Sequence, residues 1–258
     1  MSITGQNMRL KTLRSNIDVL ESVVQFVSAT LPPPLPYHSG FLHSGFRFGR
    51  PTWKHFCLLK SVRAVSGLNA CFALLPGGFS QEIAVLLRTI VECTTHIEYV
   101  LASLKGGILE KPAMDYVERY FQDFRRNEVS DFLRPKLRQG EVHKTVGSET
   151  DQLISQTDRS NEFRNVDSAK LLSNVYLTYS NYVHSRYPEV MDLYGGRPAH
   201  FHLGGMAGTP KDEENIELTE CTTVTVSNAL KFSILHMDLL DKISERTDLA
   251  PWFAKNEA

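Results

Sequence analysis

The sequence has no close pair of cysteines, no long apolar run free of charge, and no excess of charge of one sign. Its four cysteines, Cys57, Cys71, Cys93 and Cys221, stand far apart, and none forms a CxxC pair. A disulfide framework or structural zinc site needs tighter spacing, so scattered thiols in a reducing compartment are expected. Basic residues number 28 against 29 acidic ones, a formal net charge of −1. That balance excludes the broad basic face used to wrap long nucleic acid, but not a small cleft gripping one or two phosphates.

The longest apolar stretch, Ile83 to Leu104, contains Arg88, Glu92, His96 and Glu98. Ionisable groups that dense argue against a transmembrane helix. The opening residues, MSITGQNMRLKTLRSN, lack the apolar segment of a signal peptide. A cytoplasmic protein without a membrane partner is expected.

What is present is a run of helical patterns. With 258 residues, 42% of them hydrophobic, the chain can bury a core without covalent staples. From about Asn7 to Thr30, Leu13, Ile17, Leu20, Val23, Val24 and Val27 share one stripe at helical spacing. Pro32, Pro33, Pro34 and Pro36 then stop the helix, and an extended, irregular Pro/Gly-rich loop is expected through Pro51. A second helix is predicted from Thr52, a good N-cap, to Leu75, closed by Pro76-Gly77-Gly78. A third runs from Ser80 to Leu104, stopped by Gly106-Gly107. As the most apolar element it belongs at the centre.

Pro112 suits the first turn of a fourth helix reaching Gln139 with a bend at Pro135, followed by another over Glu149 to Arg159. Asp167 or Ser168 caps SAKLLSNVYLTYSNYVHSRY, expected to end at Pro188. Tyr194 to Pro210 is glycine-rich and reads as a loop. A last helix is placed at Leu218 to Ser244, although Thr222-Thr223-Val224-Thr225-Val226 has strand propensity. The organisation expected is an N-terminal helix with its Pro-rich loop (1–51), a helical bundle (52–246) and a C-terminal tail (247–258).

Chemistry concentrates on two helices. Arg88, Glu92 and His96 are spaced by fours and line one stripe. In so apolar a helix they need partners. An Arg88–Glu92 pair fixing helix register is preferred over an arginine aimed into a cleft at a phosphate or carboxylate. The later helix holds Tyr176, Tyr179, Ser180, Tyr182, His184, Arg186 and Tyr187. Ser180 and His184 stand one turn apart, with Tyr176 extending their stripe. Nothing near Ser180 resembles a nucleophile elbow, which removes a Ser/His hydrolase. His200 and His202 alternate in a loop, so both rings can face one way, but two ligands do not complete a metal site. The charges between Arg119 and Lys144, including Arg125, Arg126, Arg134, Lys136 and Arg138, interleave with acids and read as a solvated face rather than an RNA-contact strip. No metal or cofactor site is expected.

An apolar helix carrying LLRxxxE (Leu86 to Glu92), followed much later by YSxxxH (Tyr179 to His184), resembles an uncharacterised bacterial domain-of-unknown-function family related to the HEPN superfamily of helical bundles. The resemblance spans roughly residues 55 to 190. It implies an all-α, HEPN-like bundle and, by analogy with HEPN ribonucleases, metal-independent RNA cleavage of toxin or antiviral-defence type. His184 would then be the general acid or base and Ser180 the polar residue before it. Tyr179 stands where those enzymes carry arginine, so Arg88 or Arg186 would have to stabilise the phosphorane, with Glu92 supporting. A homodimer and an antitoxin-like partner are also implied. The alternative is a non-catalytic helical module that binds a ligand or a protein.

Overall fold

The computed structural model describes residues 3–39, 43–121, 144–146, 168–195 and 200–254. The architecture is mostly helical. Its first helix, α1 (Ile3–Ala29), buries the predicted stripe: Leu13, Ile17, Leu20, Val23, Val24 and Val27 all lie in the core. Thr30 and Leu31 close the last turn onto Val27 and Ser28, and the prolines follow.

The Pro-rich segment is not the irregular loop expected from its composition. It forms an antiparallel hairpin of β1 (Leu35–Ser39) and β2 (His43–Arg47), with Leu35 opposite Arg47 and Ser39 opposite His43. Pro36 is tolerated because a two-stranded ribbon consists only of edge strands.

The second helix, α2 (Trp53–Leu74), begins where Thr52 predicts. The Thr52 N–H donates to His55 Nδ1 at 3.2 Å, and Phe56 N–H to the Thr52 carbonyl at 3.0 Å. Trp53 is partly buried, with the Lys54 ammonium 5.5 Å over its ring. By length and hydropathy the segment Trp53–Gly77 could cross a membrane, but here it packs on neighbouring helices through Phe56, Cys57, Ala64, Leu68 and Cys71. Its end is the predicted one. A 3-10 turn, Leu75–Gly77, leads to Gly78 at φ 64°, a left-handed position suited to glycine.

The central element is α3 (Ser80–Ala102), packed against α2 and two later helices. Gly106 and Gly107, both at positive φ, form the two-residue turn between β3 (Leu104–Lys105) and β4 (Ile108–Leu109). The fourth helix, α4 (Lys111–Phe121), starts at Pro112 as expected. Its proposed continuation to Gln139, the bend at Pro135, the helix at Glu149 to Arg159, and most of the basic stretch lie outside the described residues.

Next comes α5 (Ser168–Val183), ending before the predicted Pro188. Ser185 adopts φ 47°, its N–H donates to the Tyr182 carbonyl, and Arg186 N–H donates to the Asn181 carbonyl. This is a Schellman closure. Pro188 then occupies the first turn of a new short helix, α6 (Tyr187–Met191), rather than merely stopping the old one. Within the glycine-rich run, β5 (Tyr194–Gly195) pairs with β6 (His200–Phe201). The loop beyond β6 docks on the Pro-Gly-Gly turn, where Met206 N–H donates to the Gly78 carbonyl at 2.8 Å.

The last long helix, α7 (Lys211–His236), starts seven residues before the predicted Leu218 and ends before Ser244. Its threonines lie within the helix with their hydroxyls turned onto the preceding turn. Thr219, Thr222 and Thr223 hydroxyls donate to the carbonyls of Asn215, Leu218 and Thr219 at 2.7–2.8 Å. Asp238 at φ 58° closes α7 before α8 (Leu240–Ser244) and α9 (Ala250–Ala254). Leu249 is buried. Trp252 Nε1 donates to Ser227 Oγ at 3.0 Å, and the Lys231 ammonium lies 5.2 Å over the Trp252 ring. Both ends of the described chain therefore share the core of the central helices.

Candidate functional site

Arg88 and Glu92 form the ion pair their spacing predicts, at 3.3 Å. Arg88 also reaches α5: Nη2 donates to the Tyr176 hydroxyl at 2.6 Å, and the guanidinium lies 4.8 Å from that ring's centroid. Two of its three nitrogens are thereby committed, while Nε is buried without a hydrogen-bond partner. His96, the third member of the stripe, turns away into the core beside α4, where Nδ1 is 3.1 Å from the Tyr116 hydroxyl. Burial pushes the Tyr116 phenol well above the usual tyrosine range.

The Tyr176–Ser180–His184 stripe is spread along α5 in depth as well as length. Tyr176 packs on Arg88, Ser180 is partly buried, and His184 is exposed in the turn after the helix. About two helical turns, roughly 12 Å, separate the Arg88 anchor on Tyr176 from His184. Arg88 and His184 are not brought together. Tyr179, at the position where the HEPN-like pattern carries arginine, is buried in the core, and burial raises its phenol. Arg186 is exposed at the start of α6. His200 and His202 do face one way, their ring centroids 4.2 Å apart. Among the described residues no group of three or more metal-ligating side chains forms.

Apart from Tyr179 and Tyr182, the side chains that do converge are ones the sequence reading passed over. Between the start of α3, the second half of α5 and the start of α7 lies a cleft of about 310 Å3. Ile83, Ala84 and Leu87 of α3 and Leu218 of α7 give it apolar walls, and Tyr179 and Tyr182 add rings. In its buried part, Asn215 Nδ2 donates to Ser80 Oγ at 3.0 Å, joining α7 to α3. The charged members are the more exposed ones: Asp192, Lys211 and Glu214, at 37%, 29% and 51% side-chain exposure. Lys211 Nζ is 2.8 Å from Glu214 and 3.8 Å from Asp192 Oδ2, which also accepts the Tyr182 hydroxyl at 2.9 Å. The result is an apolar interior with a polar rim, the usual build of a small-molecule site.

These residues come from positions 80 to 218, so no spacing announces them. One clue is legible in retrospect. Asn215 stands one turn before Thr219 on the stripe that α7 buries, and a buried amide needs a partner. The Pro-Gly-Gly turn and the loop after β6 frame this end of the molecule. Gly205 lies at φ 98°, where an added Cβ would collide with the Gly77 carbonyl oxygen, and a Cβ on Gly78 would collide with the Ala207 backbone. No family model matches the chain, and no curated protein or solved structure matches it.

Proposed function

We propose that this chain is a non-catalytic ligand-binding module built on an HEPN-like helical bundle, with the cleft between α3, α5 and α7 as its site. One observation carries this reading: three helices and the residue after α6 converge on a cavity with apolar walls and a charged rim. His184 has no such enclosure, being exposed at the end of α5. Ligand-observed NMR with indole as a neutral probe tests it. Indole binds the parent protein, and Ala84→Phe, which fills the cleft from α3, abolishes binding while the helical circular-dichroism spectrum persists. Equal binding by parent and variant puts the site elsewhere and overturns the reading.

A second reading is a metal-independent ribonuclease of toxin or defence type, for which the resemblance also implies a homodimer or an antitoxin-like partner. Its support is the exposure of His184 and Arg186 at the end of α5, where RNA has access. In this scheme His184 moves the 2′-OH proton or protonates the leaving oxygen, and Arg186 stabilises the phosphorane. Cleavage of end-labelled RNA in EDTA by the parent and not by His184→Ala would establish it. Absence of cleavage across tRNA, mRNA and rRNA leaves the binding module.

A further inference from the structure

Among the described residues the rim of the cleft is not electrically balanced, and the imbalance has a location. Two carboxylates, Asp192 and Glu214, share one ammonium, Lys211. Lys211 sits nearer Glu214, at 2.8 Å, than Asp192, at 3.8 Å, so Glu214 is the carboxylate it neutralises. Asp192 keeps the Tyr182 hydroxyl and the distant Lys211, both on Oδ2. Its Oδ1 has no hydrogen-bond partner among the described residues, and the side chain remains 37% exposed. An ionised carboxylate can accept about four hydrogen bonds, so Asp192, which lines the cleft, retains acceptor capacity.

Behind this carboxylate the lining is apolar and aromatic. Ile83 and Leu87 are fully buried, and the Tyr179 and Tyr182 rings complete the wall. A molecule satisfying both surfaces has a flat apolar body and a positively charged end. An anionic end would meet Asp192 and Glu214 together, with Lys211 the one cation among the described lining residues in its favour. A neutral molecule would leave the Asp192 oxygen to water.

Resting on the reading of this cleft as a ligand site, we infer that its ligand class is a protonated amine carried on an aromatic or aliphatic body. The ammonium is received by Asp192 Oδ1, and Tyr182 holds the carboxylate in place through Oδ2. Asp192 and Lys211 flank the segment containing the β5–β6 hairpin, so the rim's charges are set by the two ends of that one segment.

The test is a charge series on one scaffold, measured by calorimetry on the full chain: tryptamine as cation, 3-ethylindole as neutral probe, indole-3-propionate as anion. Tryptamine is expected to bind about tenfold more tightly than 3-ethylindole, and the propionate more weakly than either. Asp192→Asn, which keeps an oxygen for Tyr182, should bring the tryptamine to 3-ethylindole ratio close to one. Glu214→Gln, at a more exposed position, should lower it less. Equal binding of the three probes, or preference for the propionate, overturns the amine assignment and leaves the cleft as a ligand site. Failure of all three to bind overturns the cleft reading itself. The series needs no variant to fold, because its first comparison is made on the parent protein.

Discussion

Replacing Gly205 by alanine tests the backbone-to-backbone docking that frames the cleft. Gly205 is at φ 98°, and its would-be Cβ lies inside contact distance of the Gly77 carbonyl oxygen. An alanine there carries backbone strain of about 1–3 kcal/mol. The loop must also withdraw, breaking the bond from Met206 N–H to the Gly78 carbonyl and orphaning a donor on a buried residue. That adds about 1–3 kcal/mol, for a total of about 2–6 kcal/mol. In a chain of this size the melting temperature falls by about 4–24 °C. Two nearby glycines separate the contributions. Gly208 also has positive φ, at 80°, but nothing within 4 Å of an added Cβ, so Gly208→Ala carries the strain alone. Gly204 has open space and no positive φ, so Gly204→Ala should be close to neutral. Urea melts of the three variants should rank Gly205→Ala well below Gly208→Ala, with Gly204→Ala near the parent. Equal losses for Gly205→Ala and Gly208→Ala would refute the docking argument, because the clash and the Met206 bond would then contribute nothing.

Removing Arg88 as Arg88→Met strands the partly buried Glu92 and the Tyr176 hydroxyl. A loss of about 1–3 kcal/mol is expected in urea denaturation, and a double-mutant cycle with Tyr176→Phe should show coupling of about 1 kcal/mol. Burial lowers the His55 pKa below its ordinary value of 6.5, and its Nδ1 accepts the Thr52 N–H only when unprotonated. The unfolded chain therefore takes up the proton first as pH falls below about 6.5, stability declines on that side, and His55→Gln should flatten the decline in urea midpoints between pH 7 and 5. Glu98 on α3 runs the other way. Burial pushes its carboxyl up to about 7, so the folded state favours the protonated form and loses stability as pH rises from about 4.5 through 7. Glu98→Gln should stabilise the protein at pH 8 relative to the parent and do so less at pH 5, as read from thermal melts at both values.

The features legible in the sequence are those whose chemistry is local. The α1 stripe, the Thr52 cap and the Pro-Gly-Gly stop each depend on residues within a few positions of one another, and all appear where they were expected, whereas Gly106-Gly107, expected only to stop a helix reaching Leu104, turns a hairpin after a helix that ends at Ala102. The misplaced boundaries share a cause too. Strand propensity at Thr222 to Val226 yields to helix because Thr219, Thr222, Thr223 and Val226 are packed inside, and tertiary burial overrides a weak local preference. The end of α5 is set by Ser185 taking a left-handed conformation, which nothing in a serine's identity announces. The Pro-rich hairpin depends on cross-strand pairing. The Arg88–Glu92 pair could be read from its spacing, but its engagement with Tyr176 could not, because 88 residues separate the partners. The cleft is purely tertiary: Ser80, Asp192 and Asn215 meet only after α3, α6 and α7 have found their places.

The positions of the two tryptophans set what light can report about this molecule. Trp53 opens α2, and Trp252 is fastened to α7 through Ser227 and Lys231; neither lines the cleft, whose rings are Tyr179 and Tyr182. Indole emission from the protein therefore watches two remote corners. A non-fluorescent ligand that merely fills the cleft touches neither indole, whereas one confined to the cleft that shifts their emission must have moved α2, α7 or α9. The chain carries a built-in distinction between occupancy and transmitted motion, read in an ordinary fluorimeter without any added label.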